Sequence, residues 1–250
     1  MKKLGKYELN KLYLGDCLDL MKDIPDNSID LMVTDPPYGI AFMNKKWDTF
    51  EPKGAYQYKK GFKQLPRHST NAMIEFFVPI WKESLRILKS GAFAFVMCSP
   101  RQDVLMTQIQ ALSQARFNTN FTSIYWTYAS GFPKASKSEK NRGLEGFKEQ
   151  RAGSLEFRNR ESEKGQFKGK PQYSKNVHPT VKPIKLMSYL ITLASRKGDI
   201  ILDPFIGSGT TAIACKLLNR RFLGFEINKE YVEIANARLK AVKEVQDKLF

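Results

Sequence analysis

Cysteine is scarce in this 250-residue chain. Cys17, Cys98 and Cys215 are far apart and odd in number. They make neither a disulfide framework nor a zinc spacing, and a reducing, cytoplasmic setting is the simplest expectation. No run reaches ~18 apolar residues, so no membrane span is expected. MKKLGKYELN is basic but no apolar stretch follows it, so no secretory leader is expected either. Acidic residues are also in short supply: 25 Asp and Glu face 41 Lys and Arg, a net charge of +16. Such a surplus says nothing about fold. It favours a polyanionic partner through steering and non-specific attraction, although many basic proteins bind no nucleic acid. Repeats and low-complexity tracts are absent, and 42% hydrophobic with 26% charged residues suits a folded domain.

Alternation of strands and helices is the main pattern present. NKLYLGD (Asn10 to Asp16) reads as a short strand ending in an acid. IDLMVTDPP (Ile29 to Pro37) reads as an internal strand that Pro36 and Pro37 must end, because proline lacks the donor a ladder needs. Asp35 is thereby placed at a strand's C-terminal edge. Residues 71 to 89 suggest a helix with Pro79 as a kink point and Gly91 just beyond its end. GAFAFVMCS is a second internal strand, a helix follows across Arg101 to Gln114, and FNTNFTSIYWTYA carries strand-like aromatics and threonines. The C-terminal part reads helix (KPIKLMSYLITLAS), strand (DIILD), helix (SGTTAIACKLLNR), strand (RFLGFEI) and closing helix. This order predicts an open, mostly parallel α/β sheet with helices on both faces. Two segments stand outside it. Ala41 to Thr70 mixes basic and aromatic residues, and Lys134 to Asn176 holds twelve Lys or Arg against six Glu.

DPFIGSGT (Asp203 to Thr210) sets a glycine pair between a strand and a helix. Gly207 and Gly209 allow a nucleotide-like ligand to approach the backbone, although tight strand-helix turns also use glycine without binding anything. A Walker loop is excluded, since no Lys follows Gly209. A dinucleotide fingerprint has Ala212 where its last glycine belongs. Glu226 ends the next strand. It suits the hydroxyls of a ribose, or it caps the helix that begins near Lys229.

Taken together, DPPY at Asp35 to Tyr38 and DPFIGSGT resemble the amino-methylating DNA methyltransferases, in the subgroup with the catalytic motif first. GDCLDLMKDIPDNSIDLMVTDPPYG and HPTVKPIKLMSYLI extend the resemblance over nearly the whole chain. It implies a Rossmann-like, seven-stranded methyltransferase sheet. One domain would be split into a catalytic half (1–133) and a cofactor half (177–250) around a basic target-recognition insertion (134–176). It implies S-adenosylmethionine (SAM) as cofactor, double-stranded DNA as partner, and no metal. Dimers and cognate restriction endonucleases occur among similar enzymes.

Carried over by position, the resemblance puts SAM against Phe205 and the backbone of Gly207, Ser208, Gly209 and Thr210. Asp203 would lie near its amino group and Glu226 on its ribose. Asp16, with its neighbour Cys17, would lie towards the adenine, although Cys17 itself reads as packing. His178, Thr180, Lys182 and Pro183 would close over the methionine end. An exocyclic amine is a poor nucleophile because its lone pair is delocalised into the ring, so the corner must supply orientation and acceptors. Asp35 accepts one amino hydrogen, the carbonyl of Pro36 the other, Pro37 holds that carbonyl still, and Tyr38 stacks on the base. The acid in first position favours N6 of adenine over N4 of cytosine, where similar enzymes more often carry Ser. An RNA base methyltransferase, a silent nucleic-acid-binding relative and a Rossmann-type oxidoreductase, which would leave DPPY without a use, are the remaining alternatives.

DNA contact falls to Lys137, Lys140, Arg142, Arg158, Arg160, Lys168 and Lys170, with Trp47, Tyr56 and Tyr58 as candidates for flipped or flanking bases. Replacing Arg158, Arg160 and Lys168 together by Gln should weaken duplex binding, leave SAM affinity unchanged and reduce the log–log salt slope by roughly 3. Titrations of DNA at several salt concentrations measure this, and an unchanged slope would remove these residues from the interface.

Overall fold

The computed structural model describes residues 3–39, 70–126 and 181–246. The chain divides into two compact units, Met1–Asn120 with His178–Phe250, and Phe121–Val177. The first begins with β1 (Lys3–Leu4) and β2 (Tyr7–Glu8), which among the described strands pair only with each other, antiparallel across a turn with Gly5 at φ 55°. Then follow β3 (Lys11–Leu14), α1 (Cys17–Met21), β4 (Ile29–Thr34), α2 (Thr70–Ile87), β5 (Leu88–Val96) and α3 (Gln102–Gln114). After residue 181 come α4 (Ile184–Ala194), β6 (Ile200–Asp203), α5 (Thr210–Leu217), β7 (Arg221–Glu226) and α6 (Lys229–Gln246).

Five strands form one parallel sheet in the order β3-β7-β6-β4-β5. The two ends of the chain therefore interleave: β3 lies beside β7, and β4 beside β6. Strands β4 and β6 are buried almost throughout, as internal strands covered on both faces must be. Alternate side chains feed two cores. Met32, Leu202, Leu223 and Phe225 pack with Met73, Phe77, Trp81 and Val104 from α2 and α3. Leu31, Val33, Ile201 and Phe222 pack with Met187, Ile191, Ala214 and Ala235 from α4, α5 and α6. Period-two strands thus present apolar rows to helices on both sides, the arrangement expected from the sequence.

Chain order runs from β6 to β7 in one direction along the sheet and from β4 to β5 in the other. The order reverses between β4 and β6, and ligands of open α/β sheets bind beyond the strand ends at such a reversal. Asp35 and the glycine turn both lie there.

Local departures from the sequence reading have physical causes. Helix α2 runs on through Pro79, which lies on its exposed face, where the missing N–H leaves a carbonyl that water can serve. Strand β5 starts directly after α2, and Gly91 lies inside it at φ 78°, in a bulge opposite the step from Ile29 to Leu31. Residues 117–126 form no strand, since β propensity makes none without a ladder partner, and no described strand pairs with them. Residues 127–129 of that expected strand, and most of the segments Ala41 to Thr70 and Lys134 to Asn176, lie outside the described residues. No described helix is long and apolar enough to cross a membrane.

Gly224 makes the site's backbone compact. A Cβ there would come within 2.1 Å of Cδ1 of Ile206, in the glycine turn. Gly224→Ala should destabilise the fold by about 1–3 kcal/mol, with part of the loss recovered by adding Ile206→Val. Urea unfolding of the single and double variants reads both effects.

Candidate active site

Asp35 leaves β4 at the reversal point, and Pro36, directly after it, is buried. Both oxygens of Asp35 are engaged. Tyr38, three residues on, donates its hydroxyl to Oδ1 at 2.6 Å, and the ammonium of Lys182 forms an ion pair with Oδ2. The same ammonium lies over the Tyr38 ring, 5.3 Å from its centroid. The pair is largely sheltered, with side-chain exposures of 17% for Lys182 and 20% for Asp35. Lys182 was grouped in the sequence with the methionine end of a cofactor; in the fold it sits on the acid of the corner.

Asp203, at the end of β6, is 2% exposed and also fully engaged. Its Oδ1 accepts from the hydroxyl of Thr34 at 2.7 Å and the N–H of Phe205 at 3.1 Å, and its Oδ2 from the hydroxyl of Thr211 at 2.6 Å. Burial dominates its titration and pushes the carboxyl up to about 7. The three donors pull it down, and the charge of Asp35 adds to the rise.

The glycine turn curls between β6 and α5, with Gly207 at φ 51° and Gly209 at φ 82°. Phe205 and Gly207 are partly exposed, whereas Ser208, Gly209 and Thr210 are buried. A Cβ on Gly209 would meet that of Ala235 at 2.8 Å, so α6 packs directly on the turn. One turn further along α6, Arg238 donates to the carbonyl of Ser208, to its hydroxyl at 2.8 Å and to the hydroxyl of Thr210 at 3.4 Å. No described carboxylate forms an ion pair with it, and burial lowers the pKa of its guanidinium. Phe205 meets Phe77 and Trp81 edge to face, each at 6.1 Å, which anchors the turn's start on α2.

Glu226 ends β7 beside the turn. Its Oε2 accepts the N–H of Gly207 at 3.0 Å and its Oε1 that of Asn228 at 2.8 Å. Burial raises its pKa against those bonds. Both functions weighed from the sequence are compatible with this geometry, since each oxygen retains a lone pair. Gly15 continues the ladder from β3 to the carbonyl of Glu226 at 2.9 Å, which sets Asp16 beside it. Asp16 caps α1 through the N–H of Leu18 at 2.8 Å and is exposed. Cys17 is buried, and its thiol is pushed up to about 12 by desolvation and the charge of Asp16; it packs in the core.

Asp16, Asp35, Pro36, Pro37, Tyr38, Asp203, Phe205, Gly207 and Glu226 thus belong to the ends of four strands and the turns that follow them, and Lys182 reaches Asp35 from the segment that leads into α4. His178, Thr180 and the seven basic residues from Lys137 to Lys170 lie outside the described residues, as do Trp47, Tyr56 and Tyr58. Thr34, Thr211 and Arg238 were not anticipated. The only signal for Arg238 was its spacing of three from Ala235 on a helix that had to cover the turn. No group of His, Cys, Asp and Glu among the described residues could hold a metal ion.

A family model described as DNA methylase, of the N6/N4 methyltransferase type, matches residues 29–237. The chain is 31% identical to the type II methyltransferase M.BglII of Bacillus subtilis, over 92% of this chain and 69% of that one. It is 29% identical to M2.MboI of Moraxella bovis, over 91% and 86%. Among solved structures, the PvuII DNA methyltransferase, cytosine-N4-specific, aligns with a TM-score of 0.57 at 19% identity, covering 95% of this chain and 91% of that one. A Thermus thermophilus protein crystallised in complex with SAM aligns at 0.51 and 19%, covering 93% of each chain. These structural likenesses are likenesses of fold.

The buried carboxyl of Asp203 makes stability depend on pH. The folded state holds a proton up to about pH 7 that the unfolded chain releases near 3.8. The group therefore costs the fold least below the lower value, its cost grows as pH rises through the interval, and it levels off above about 7. Asp203→Asn should flatten this fall, so that the difference in unfolding free energy between pH 4 and pH 8 is smaller than in the wild type. Urea titrations across that range measure it, and equal slopes would place the charge of Asp203 elsewhere.

Proposed function

The chain belongs to the N6/N4 family of DNA methylases, SAM-dependent methyltransferases of DNA, and from that premise we propose that it methylates N6 of adenine at a specific site in duplex DNA. The observation that carries the reading is the position of the Asp35–Tyr38 corner. It stands where the strand order reverses, one hydrogen-bonded residue away from the anchor of the glycine turn.

The residues present suit SAM, which when bound supplies an electrophilic methyl group on a sulfonium and leaves as S-adenosylhomocysteine. No side chain at the partly exposed Gly207 obstructs an approach to the turn, while the bare Gly209 lets α6 pack against it from behind. The partly exposed carboxylate of Glu226 retains acceptor capacity for a ribose diol, and Asp16 lies beside it for an amino group. Lys182 brings a cation for a carboxylate, and Phe205 an aromatic edge. Asp203 spends its oxygens within the protein, so its part in this reading is to hold the turn.

The corner does the work on the base. Asp35 and the Pro36 carbonyl accept the two amino hydrogens and favour localising the lone pair on nitrogen. Pro37 restricts the backbone that carries the carbonyl. Tyr38 offers a ring face to a base that has left the stack, offsetting part of the unstacking cost. The acid at the head of the motif supports adenine, and the basic stretch 134–176 is assigned the phosphate backbone.

Asp35→Ala should reduce transfer of radiolabelled methyl to DNA by at least about a hundredfold while SAM still binds. Undiminished transfer would sink the role given to Asp35. Single-molecule sequencing of DNA treated with the protein and SAM should show N6-methyladenine in one sequence word. N4-methylcytosine would reverse the choice of base, and unmodified DNA would favour RNA or a silent protein.

A further inference from the structure

Lys182 occupies the two features that a target base needs. Its ammonium pairs with Oδ2 of Asp35, and it lies over the ring of Tyr38, which itself packs against the first core cluster. The Tyr38 hydroxyl holds the other oxygen of the acid at 2.6 Å. A base entering the corner must displace the ammonium from the carboxylate and from the aromatic face together. The Lys182 side chain is only 17% exposed, so leaving its charge without a substitute anion is costly. Two participants in methyl transfer to DNA carry an anion: SAM has one carboxylate, and DNA has its phosphates. On the reading above, the first is held beside the glycine turn, to which Lys182 is linked through Asp35, its neighbour Thr34 and Asp203.

We propose that Lys182 is a latch on Asp35, closed in this structure and drawn off by the carboxylate of SAM, so that the base-holding corner opens once the cofactor is in place. This rests on the reading of the site given above. It makes Lys182 a positioning residue that acts through Asp35 and Tyr38. It also makes cofactor and base binding cooperative, since the free energy spent in opening the latch is spent once.

The coupling has a sign that a purely structural role lacks. With the latch closed, SAM must compete with Asp35 for the ammonium, so neutralising the acid should help SAM to bind, but only while Lys182 is present. Any direct attraction between Asp35 and the sulfonium is common to both backgrounds and cancels in the cycle. The test is calorimetric binding of SAM and of 5′-methylthioadenosine, which lacks the carboxylate, to four full-length proteins: wild type, Asp35→Asn, Lys182→Met and the double variant. Asp35→Asn should favour SAM by about threefold or more in the chain that keeps Lys182, relative to its effect beside Lys182→Met. Methylthioadenosine should show no such difference, and its binding to all four proteins would confirm that each is folded. An equal effect of Asp35→Asn in both backgrounds overturns the latch. The same coupling with methylthioadenosine overturns the role of the carboxylate. Coupling seen only when duplex DNA is the titrant would pass the opening to a phosphate and overturn the proposal as well. If none of the four proteins binds SAM, the latch and the functional reading beneath it fail together.

Discussion

Asp203 sits at the end of β6 with its carboxylate inside the protein, and donors from three segments converge on it: Thr34 from β4, Phe205 from the glycine turn and Thr211 from α5. Thr34 and Asp203 are 169 positions apart in the chain, so this hydrogen bond is where the Asp35–Tyr38 corner and the glycine turn become one object. Thr34 directly precedes Asp35. Any shift of the turn therefore reaches the acid through one backbone link. The arrangement costs free energy, because the group is buried far from water, and its three donors only partly offset that cost. Such a cost is tolerated when the geometry it secures is worth more than the stability it gives up.

Much of this was legible in the chain, and the reasons are specific. Proline cannot continue a central ladder, so Pro36 and Pro37 put Asp35 at a strand end without any knowledge of the sheet. A glycine pair between an apolar run and a helix start located the turn, and Glu226 followed from the end of the next apolar run. What stayed hidden depends on contacts between distant positions. Thr34 and Thr211 look like ordinary β-branched residues until Asp203 is placed between them. Lys182 stands out in HPTVKP only by resemblance and on the cofactor side, and the fold alone sets it against a particular carboxylate. The bulge around Gly91 was invisible because its cause is the register of β4 against β5.

Helix α6 shows how a residue with an unremarkable sequence signature becomes structural. Gly209 leaves no room between the turn and Ala235, so the helix lies close enough for Arg238 to reach the carbonyl and hydroxyl of Ser208. A guanidinium with no described carboxylate partner is an expensive brace compared with an apolar contact. It provides direction instead: its Nη1 alone donates to the carbonyl and hydroxyl of Ser208 and to the hydroxyl of Thr210, in a turn whose glycines would otherwise leave the backbone free. The turn is thus held from behind by α6, from below by Asp203 and at its start by the rings of Phe77 and Trp81. Its side at Phe205 and Gly207 stays partly exposed.

The charges of the site complete the argument for a closed corner. Asp35 and Asp203 end adjacent parallel strands, and the charge of the first adds to the rise in pKa of the second. Once Asp203 loses its proton, above about pH 7, the two neighbouring carboxylates repel, and Lys182 is the described cation paired with either. Taking that ammonium away would leave the pair unbalanced, so a ligand able to move it must bring positive charge as well as a competing anion. A sulfonium with an α-ammonium and a carboxylate has both. A phosphate has only the anion, and would draw off the lysine while leaving the two acids to repel each other. On the proposed reading of the site, charge balance above about pH 7 therefore favours the same ligand as the position of the turn does.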